Sequence, residues 1–566
     1  METLESAPPS KNRGRLAVTV GVGLVAIAVV AAGILLIPRL LNPGASTVNV
    51  TAAAMPADTQ LYLSFNPHFE QLPNGGVIRQ AWSDPELSKP LEDQVRAALE
   101  DANLDWEQDI ASWLGDEIGI GLVDIPLNSA GSFGNTSAPP VVLAAATRDK
   151  TKSDALLAKL RAKVEAGGET FTEQTYRAVT VFVSDATELP AYATVKDLVL
   201  IATGESQLHA AIDAVLDGKG LNTSSSYAAT VNRLRGGRAM TIYANLAPLY
   251  QELIEQMEQS GAAGASFSGV ADALAMLQGG ALGLSFETNG LLLEVIGQGD
   301  PGKLPADQQA ILSAAPNPNT LLRTAPDTAF LYLGGYQFAE RIKATLSAMR
   351  SLDPNLQDAL DNLEQETGIN LEEDILSWMK GEIALVAMPG AGLGGSSQIP
   401  FGLALIVETA DQQLAEERTH QLIQTLTAQS GQTLEAVTIG DANLHALVDA
   451  SGQSMFVYGV LGDKFVLALP ENSAQKIAGA GDRPLADDAT FKTAIAPLPK
   501  NNDGYQYLRP KTIVDLASLA LSFSGQPCTV CPLFEPVSAV AIAAEQPQYQ
   551  NGVERTILFM LLDVAQ

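Results

Sequence analysis

Cysteine and histidine are scarce in this chain: its 566 residues hold two of the first and four of the second. So few thiols and imidazoles exclude a disulfide-dense miniprotein and a His/Cys-rich metal protein. Positive charge is also in short supply. With 34 Lys and Arg against 64 Asp and Glu, the formal net charge is -30, which excludes a basic nucleic-acid binder. Charged residues of either sign make up only 17%, too few for a disordered polyelectrolyte, whereas 46% apolar residues supply ample material for a core. Catalytic signatures are missing too: no H-E-x-x-H, G-x-S-x-G, P-loop or EF-hand loop occurs. The sequence therefore identifies no reaction, and what it does carry concerns location and construction. Its length suits roughly three or four domains of about 150 residues.

Residues 16–37, LAVTVGVGLVAIAVVAAGILLI, contain no charged side chain. As a helix these residues would rise about 33 Å, enough to cross a hydrocarbon core of about 30 Å. Lys11, Arg13 and Arg15 precede the run and only Arg39 follows closely, so residues 1–15 are expected in the cytoplasm and the long remainder across the bilayer. A cleaved signal peptide is the competing reading, but its apolar region is normally about 7–15 residues and no clear small-x-small cleavage site follows this run, so an uncleaved anchor is expected. The segment Gly21-Val22-Gly23-Leu24-Val25-Ala26 is formally G-x-G-x-x-A, but it lies inside the expected span and not between a strand and a helix. Tail and anchor carry four basic and two acidic residues, which leaves -32 for the rest of the chain, an acidic and soluble surface.

Beyond the anchor the chain resembles itself. Pro56-Ala57-Asp58-Thr59-Gln60-Leu61-Tyr62-Leu63 is matched by Pro326-Asp327-Thr328-Ala329-Phe330-Leu331-Tyr332-Leu333. The segment running from Asp109 through Ser112-Trp113 to Glu117-Ile118 is matched by that running from Asp374 through Ser377-Trp378 to Glu382-Ile383. Val141 to Thr147 and the helix after it parallel Phe401 to Thr409 and its helix, and Leu198-Val199-Leu200 parallels Phe465-Val466-Leu467. Gly/Ser-rich insertions at 128–138 and 390–398 fall at the same point of each copy. These matches imply copy one at 50–300, a Pro-rich connector at 301–320 and copy two at 321–566.

Within a copy the apolar period alternates between two and about 3.6, which predicts an α+β fold of antiparallel sheet with helices packed on one face, in two tandem duplicated domains. Leu414, Leu422, Ile423 and Leu426 form one helical stripe. Ser206 and Ser473 stand where helix N-caps are wanted, and Gly218 stands where a helix should end. Each copy is expected to finish in a hairpin, Ala281 to Ile296 in the first and Val537 to Leu562 in the second.

An N-terminal anchor, a Pro-led opening strand at Pro56 to Leu63 and at Pro326 to Leu333, and the Trp-x-x-x-Glu-Ile segments at Trp113 and Trp378 together resemble an uncharacterised bacterial family, the domain of unknown function numbered three-three-five-two. The resemblance implies a membrane-anchored envelope protein of no assigned activity, and it brings no catalytic residues with it.

The one motif that chemistry could use is Cys528-Thr529-Val530-Cys531. A redox C-x-x-C normally opens a helix, but Pro527, Pro532 and Pro536 surround this one, so a helix is not expected to begin there and a local disulfide is favoured over thiol-disulfide exchange. Trp113 and Trp378, with Tyr62 and Tyr332, are expected to be core anchors at equivalent places. Glu117 and Glu382 are repeat-equivalent acids, and nothing in the sequence brings them within the ~5–10 Å that paired-carboxylate hydrolysis would need. His68, His209, His420 and His445 are scattered, with His209 and His420 on predicted helices. Glu372-Glu373-Asp374 and Asp487-Asp488 lack the calcium-loop spacing and are expected to be solvated charge. No metal or cofactor is expected. The leading expectation is a non-enzymatic, single-pass module outside the cytoplasm. It would bind another envelope protein or a small apolar ligand held between sheet and helices, with thiol exchange at Cys528 and Cys531 as the alternative.

Overall fold

The computed structural model describes residues 49–77, 96–97, 99–100, 103–123, 140–184, 191–259, 276–352, 355–390, 401–428, 432–524, 528, 531–549 and 551–563. The expected span at 16–37 and both Gly/Ser-rich insertions, save Gly390, lie outside them. Among the described residues no helix is long and apolar enough to cross a membrane.

The chain divides into two compact units, one formed by the described residues up to Leu249 with Gly279–Thr288, the other by Tyr250–Gln278 and Asn289 onward. The first unit contains β1 (Leu61–Phe65), β2 (Leu114–Leu122), β3 (Val141–Thr147), α1 (Lys150–Ala166), β4 (Phe171–Tyr176), β5 (Val179–Ser184), β6 (Ala191–Val195), β7 (Leu198–Ala202), α2 (Glu205–Asp217), β8 (Met240–Asn245) and β9 (Leu277–Glu287). Its strands pair antiparallel in the order β4-β5-β6-β7-β3-β2-β1-β8-β9.

The second unit contains β10 (Gly290–Gly299), β11 (Leu331–Tyr336), α3 (Phe338–Leu352), α4 (Asn355–Thr367), β12 (Met379–Pro389), β13 (Phe401–Thr409) and α5 (Gln412–Thr427). It continues with β14 (Thr433–Ile439), β15 (Ala442–Val448), β16 (Ser454–Leu461), β17 (Lys464–Leu469), α6 (Glu471–Ala478), α7 (Ala489–Ile495), β18 (Gln506–Leu508), α8 (Pro510–Ser524), β19 (Val537–Ala544) and β20 (Val553–Leu562). The order is β14-β15-β16-β17-β13-β12-β11-β18-β19-β20-β10, again antiparallel.

Helices cover both faces of the sheet, not one as the sequence suggested. Neighbouring strand residues point to opposite faces. In β13, Ala404 and Ile406 pack with Ala474 and Ile477 of α6 and with Phe491 and Ala494 of α7. Val407 packs on the other side with Ala415 and Ile423 of α5, Phe465 and Trp378. The reason is visible in the strand FGLALIVET, whose run of consecutive apolar residues is the mark of a strand buried on both faces. On α5, Leu426 leaves the expected stripe and is 63% exposed, because Ala415, Thr419 and Ile423 form the buried line.

β10 belongs to the second unit, paired with β20 from Gly290↔Leu561 to Gln298↔Val553. Leu292 and Ile296 are buried there, and buried Glu294 is neutralised by Arg555. The segment expected as a connector docks on the same unit. The Gln548 N–H donates to Leu312 O (2.7 Å), the Gln546 side-chain amide to Ala314 O (3.0 Å), and the Asn317 N–H to Asn502 O (2.7 Å).

Helix ends follow partner geometry. Asp149 and Asp411 cap α1 and α5 by accepting the N–H groups of Lys152 (3.1 Å) and Leu414 (3.0 Å). The expected caps differ: Gly204 precedes α2 and leaves Ser206 inside it, while Pro470 precedes α6 and Ser473 donates back to Leu469 O (2.9 Å). Gly218 does end α2, with φ +65°, a conformation that favours glycine.

A strand covered on both faces loses stability from either side. Ile406→Ala should cost about 2–5 kcal/mol and Val407→Ala about 2 kcal/mol in urea unfolding. A strand with one wet face would show only the first loss.

Candidate functional site

The Trp-Glu segment builds the same device in each unit. Before Trp113 the chain makes a wide turn, Trp106–Ala111, opened by Asp105, whose carboxylate accepts the Gln108 N–H (2.8 Å). Asp109 returns the favour by accepting the Asp105 N–H (2.8 Å) and pairs with Lys159 of α1 (2.7 Å). In the second unit, Asn370 accepts the N–H groups of Glu372 and Glu373 (both 3.0 Å), Asp374 accepts the Asn370 N–H (2.8 Å), and Arg418 of α5 pairs with Asp374 (3.1 Å). Both indoles are buried, and each donates from Nε1 to the carbonyl four residues back: Trp113 to Asp109 (2.7 Å), Trp378 to Asp374 (3.0 Å). The Trp side chains are anchors whose polar edge is satisfied internally.

The two glutamates act as caps. Glu117, 8% exposed, accepts the Thr51 N–H (3.1 Å) through one oxygen and the Tyr62 hydroxyl (3.1 Å) through the other. Tyr62, fully buried, also lies 2.7 Å from the Thr51 hydroxyl. Glu382, 1% exposed, accepts the N–H groups of Thr320 (2.6 Å) and Leu321 (3.1 Å). Thr51 and Thr320 each begin a short 3-10 helix, so the carboxylates satisfy N–H groups that would otherwise be buried without partners. Gly119 lets β2 pass this network, since a Cβ there would stand 2.3 Å from the Thr51 hydroxyl oxygen. Burial raises the Glu117 pKa against the pull of its hydrogen bonds, the Thr51 N–H first, and burial likewise pushes the Tyr62 and Tyr332 phenols up. The acids sit in separate units, each held by donors of its own, which leaves them structural duties.

Beside Glu117 lies a shallow cleft of about 360 Å³, counting space open to solvent, lined by Ser64, Asn66, Asp116, Arg238 and Thr241 among others. About 30 Å³ of it admits the centre of a water molecule.

Cys528 and Cys531 are joined in a disulfide with Cα atoms 5.4 Å apart. Contrary to expectation a helix does begin here, the four-residue Cys531–Phe534, but it opens on the second cysteine, which is buried. The acidic clusters are solvated only in part: Glu372 pairs with Arg350, Asp374 with Arg418 and Asp488 with Arg509 (2.7 Å), whereas Asp487, beside Lys492 at 3.2 Å, is 54% exposed and Glu373 is exposed as expected. Among the described residues no group of three His, Cys, Asp or Glu side chains is arranged to hold a metal ion.

Sequence reasoning missed one cluster. His420 and His445 are not scattered; their ring centroids lie 4.6 Å apart. His420 Nδ1 is 2.8 Å from the Tyr458 hydroxyl, and His445 Nε2 is 3.0 Å from Glu416. Nothing in the spacing pairs residue 420 with residue 445, because they meet only when α5 packs on β15 and β16. The other two stay apart: His68, buried, meets the Arg148 guanidinium (3.0 Å), and His209, on α2 as predicted, stacks on Tyr176 (3.7 Å).

The model of a family described as "Protein of unknown function (DUF3352)" matches residues 17–562. No curated protein matches. Among solved structures, crystal form III of TP0453 aligns at 10% identity and a TM-score of 0.22, covering 48% of this chain and 86% of that one. Crystal form I of TP0453 aligns at 9% and 0.23, covering 49% and 85%. Likenesses this weak carry no structural or functional argument.

Removing a cap should cost stability. Glu117→Ala leaves the Thr51 N–H unpaired and should lower unfolding free energy by about 1–3 kcal/mol in urea titration at pH 7. Because the folded pKa is raised, the contribution of Glu117 titration is fully present below the unfolded value near 4.5 and is lost as pH rises through the folded one. Glu117→Gln should therefore flatten stability against pH over that window. Separately, the paired Cys528→Ser and Cys531→Ser variant should lose about 2 kcal/mol, the closure entropy of a short loop. Loss of thiol-exchange turnover with no change in stability would contradict the staple.

Proposed function

This chain belongs to the family of proteins of unknown function DUF3352, and from that premise we propose that it is a non-enzymatic, membrane-tethered module of the bacterial envelope that holds a small apolar ligand. Residues 1–15 stay in the cytoplasm, residues 16–37 cross the bilayer and the rest stands outside. The support is the uncharged run of 22 residues with its basic flank, in a part of the chain outside the described residues.

The ectodomain arose by duplication. Beyond the sequence matches, the support is a set of repeated bonds. Gln60 N–H to Leu122 O (3.0 Å) corresponds to Phe330 N–H to Ala387 O (2.9 Å), and Asn245 N–H to Gln60 O (2.7 Å) to Arg509 N–H to Phe330 O (2.8 Å). Pro56 bridges Gly220 as Pro326 bridges Pro484, and both β2–β3 and β12–β13 slip register just after the Trp.

The observation that carries the ligand is the second face of each sheet. In the first unit Leu143, Ile120, Leu63, Ile242 and Leu282 stand opposite one another in successive strands, all half-buried. In the second, Leu405, Leu385, Leu333, Gln506, Ile542, Leu558 and Leu293 form the equivalent row, with Gln506 its one polar member. Leu333 is 40% exposed, between β12 and β19, the strands on which α3 and α8 pack. At about 4.8 Å per strand, the seven strands of the second unit offer a strip about 29 Å long, suited to an extended acyl chain.

The thiol-exchange alternative draws less support, since the helix opens on Cys531 and not on Cys528, whose thiolate a helix N-terminus would have to stabilise.

Tritiated palmitic acid should bind the full chain held in detergent-free peptide belts at pH 7.5. Leu333→Glu, which places a charge in the strip, should weaken binding at least about tenfold. Binding that the variant leaves unchanged would overturn this reading.

A further inference from the structure

Each unit ends on one side in a strand bonded to a single neighbour among the described residues: β4 to β5 in the first, β14 to β15 in the second. A two-residue turn fixes which backbone groups such a strand sends outward. In β14 the turn is Gly440 and Asp441, with Gly440 at φ +60°, and it closes on the pair Ile439↔Ala442. The closing pair exchanges both N–H···O bonds, and bonded pairs then recur at every second residue, Val437, Glu435 and Thr433. The N–H and C=O groups of Leu434, Ala436 and Thr438 therefore face away from β15. Among the described residues no other backbone group takes them up.

An edge of this kind is a template for another strand, and proteins commonly blunt it with lysine, proline or a bulge. β14 carries none of these. TLEAVTI has no lysine or proline, its register against β15 runs without a slip, and Ala436 and Thr438 are exposed. The side chains brought opposite decide which strand fits. Against a second copy, the antiparallel register that uses all the outward residues is centred on Ala436. It sets Ala436 against Ala436, Leu434 against Thr438 and Glu435 against Val437, so no like charges face each other. Each outward pair exchanges two main-chain bonds.

The first unit provides the contrast. β4, FTEQTY, closes on Tyr176↔Val179 through Arg177 and Ala178, both at positive φ, and so turns out Phe171, Glu173 and Thr175. The same centring there sets Glu173 against Glu173, a like-charge pair in the middle of the contact.

We propose that β14 is a self-association edge: two copies of this chain join through an antiparallel β14–β14 pair about a two-fold axis, and Glu173 keeps β4 out of such pairing. The axis stands normal to the sheet, so the two sheets continue into one and both copies turn α5 to the same side. One strand pair makes a small contact, which suits a reversible dimer. The inference goes beyond the ligand reading and takes nothing from it.

The test is disulfide trapping on the full chain in mild detergent at pH 7.5, with copper phenanthroline and air as oxidant. The native cysteines are joined to each other, so an introduced thiol can pair only with its copy. Facing residues of a bonded antiparallel pair stand about 5.5 Å apart at Cα, within disulfide reach. Ala436→Cys should therefore run as a dimer on a non-reducing gel. Thr438→Cys, about 14 Å from its copy in the same register, should stay monomeric, as should Thr175→Cys on β4. Sedimentation velocity over a dilution series reads the contact without oxidation. There the wild type should dimerise reversibly, and Ala436→Glu, which copies the β4 arrangement, should raise the dimer dissociation constant at least about fivefold. Ala436 is exposed and gives no main-chain bond to β15, so both of its variants keep the hairpin. No trapping at 436, equal trapping at 436 and 438, or an Ala436→Glu variant that dimerises like the wild type would overturn the proposal.

Discussion

Apolar side chains on both faces of the central strands are the constraint from which the rest follows. β3 reads VVLAAAT and β13 reads FGLALIVET, so neither strand can turn a face to water without exposing a continuous apolar surface. Each must be covered twice. One cover is tight: in the second unit Tyr332, Val386, Ile406 and Phe559 are sealed beneath α6 and α7, every one of them at most 1% exposed. The other is looser, with α5 at one end and half-buried leucines along the rest. On the proposed function, this asymmetry separates the face that holds the fold together from the face that receives the ligand.

Double cover also explains the buried carboxylates. Chain segments that cross the tight face arrive as short 3-10 helices, and their first N–H groups are cut off from water. Glu117 and Glu382 supply the acceptors. The two solutions differ in detail: Glu117 takes a second bond from the Tyr62 hydroxyl, whereas the Glu382 N–H donates to Glu408 (2.9 Å), whose other oxygen takes the Thr320 hydroxyl (3.0 Å). A buried acid of this kind looks catalytic in a list of residues and proves to be a cap once its donors are counted.

Local signals in the sequence were legible and long-range ones were not. The Trp anchors, the opening strands at Tyr62 and Tyr332, the end of α2 at Gly218 and the helices that carry His209 and His420 all follow from neighbours in the chain. Ser206 and Ser473 misled because many residues suit a cap and the turn geometry selects one. Here Gly204 and Pro470 took the place, and each serine fell inside its helix. The pairing of β10 with β20 was not readable, since its alternating leucines fit any apolar partner strand and only the packed unit decides which. His420 meeting His445 was hidden for the same reason. The helices on both faces could have been found, had the unbroken apolar runs been weighed above the alternation in their neighbours.

The central claim is that the half-buried aliphatic row of each sheet receives an extended apolar chain. Photo-crosslinking with a palmitic acid analogue carrying a diazirine at its tail, followed by peptide mapping of the adducts, tests it most directly. The account predicts adducts on the loose-face residues of β11, β12, β19 and β20, such as Leu333, Leu385, Ile542 and Leu558, competed away by unlabelled palmitate. Adducts spread over the outer surface without competition, or confined to residues 16–37, would contradict it.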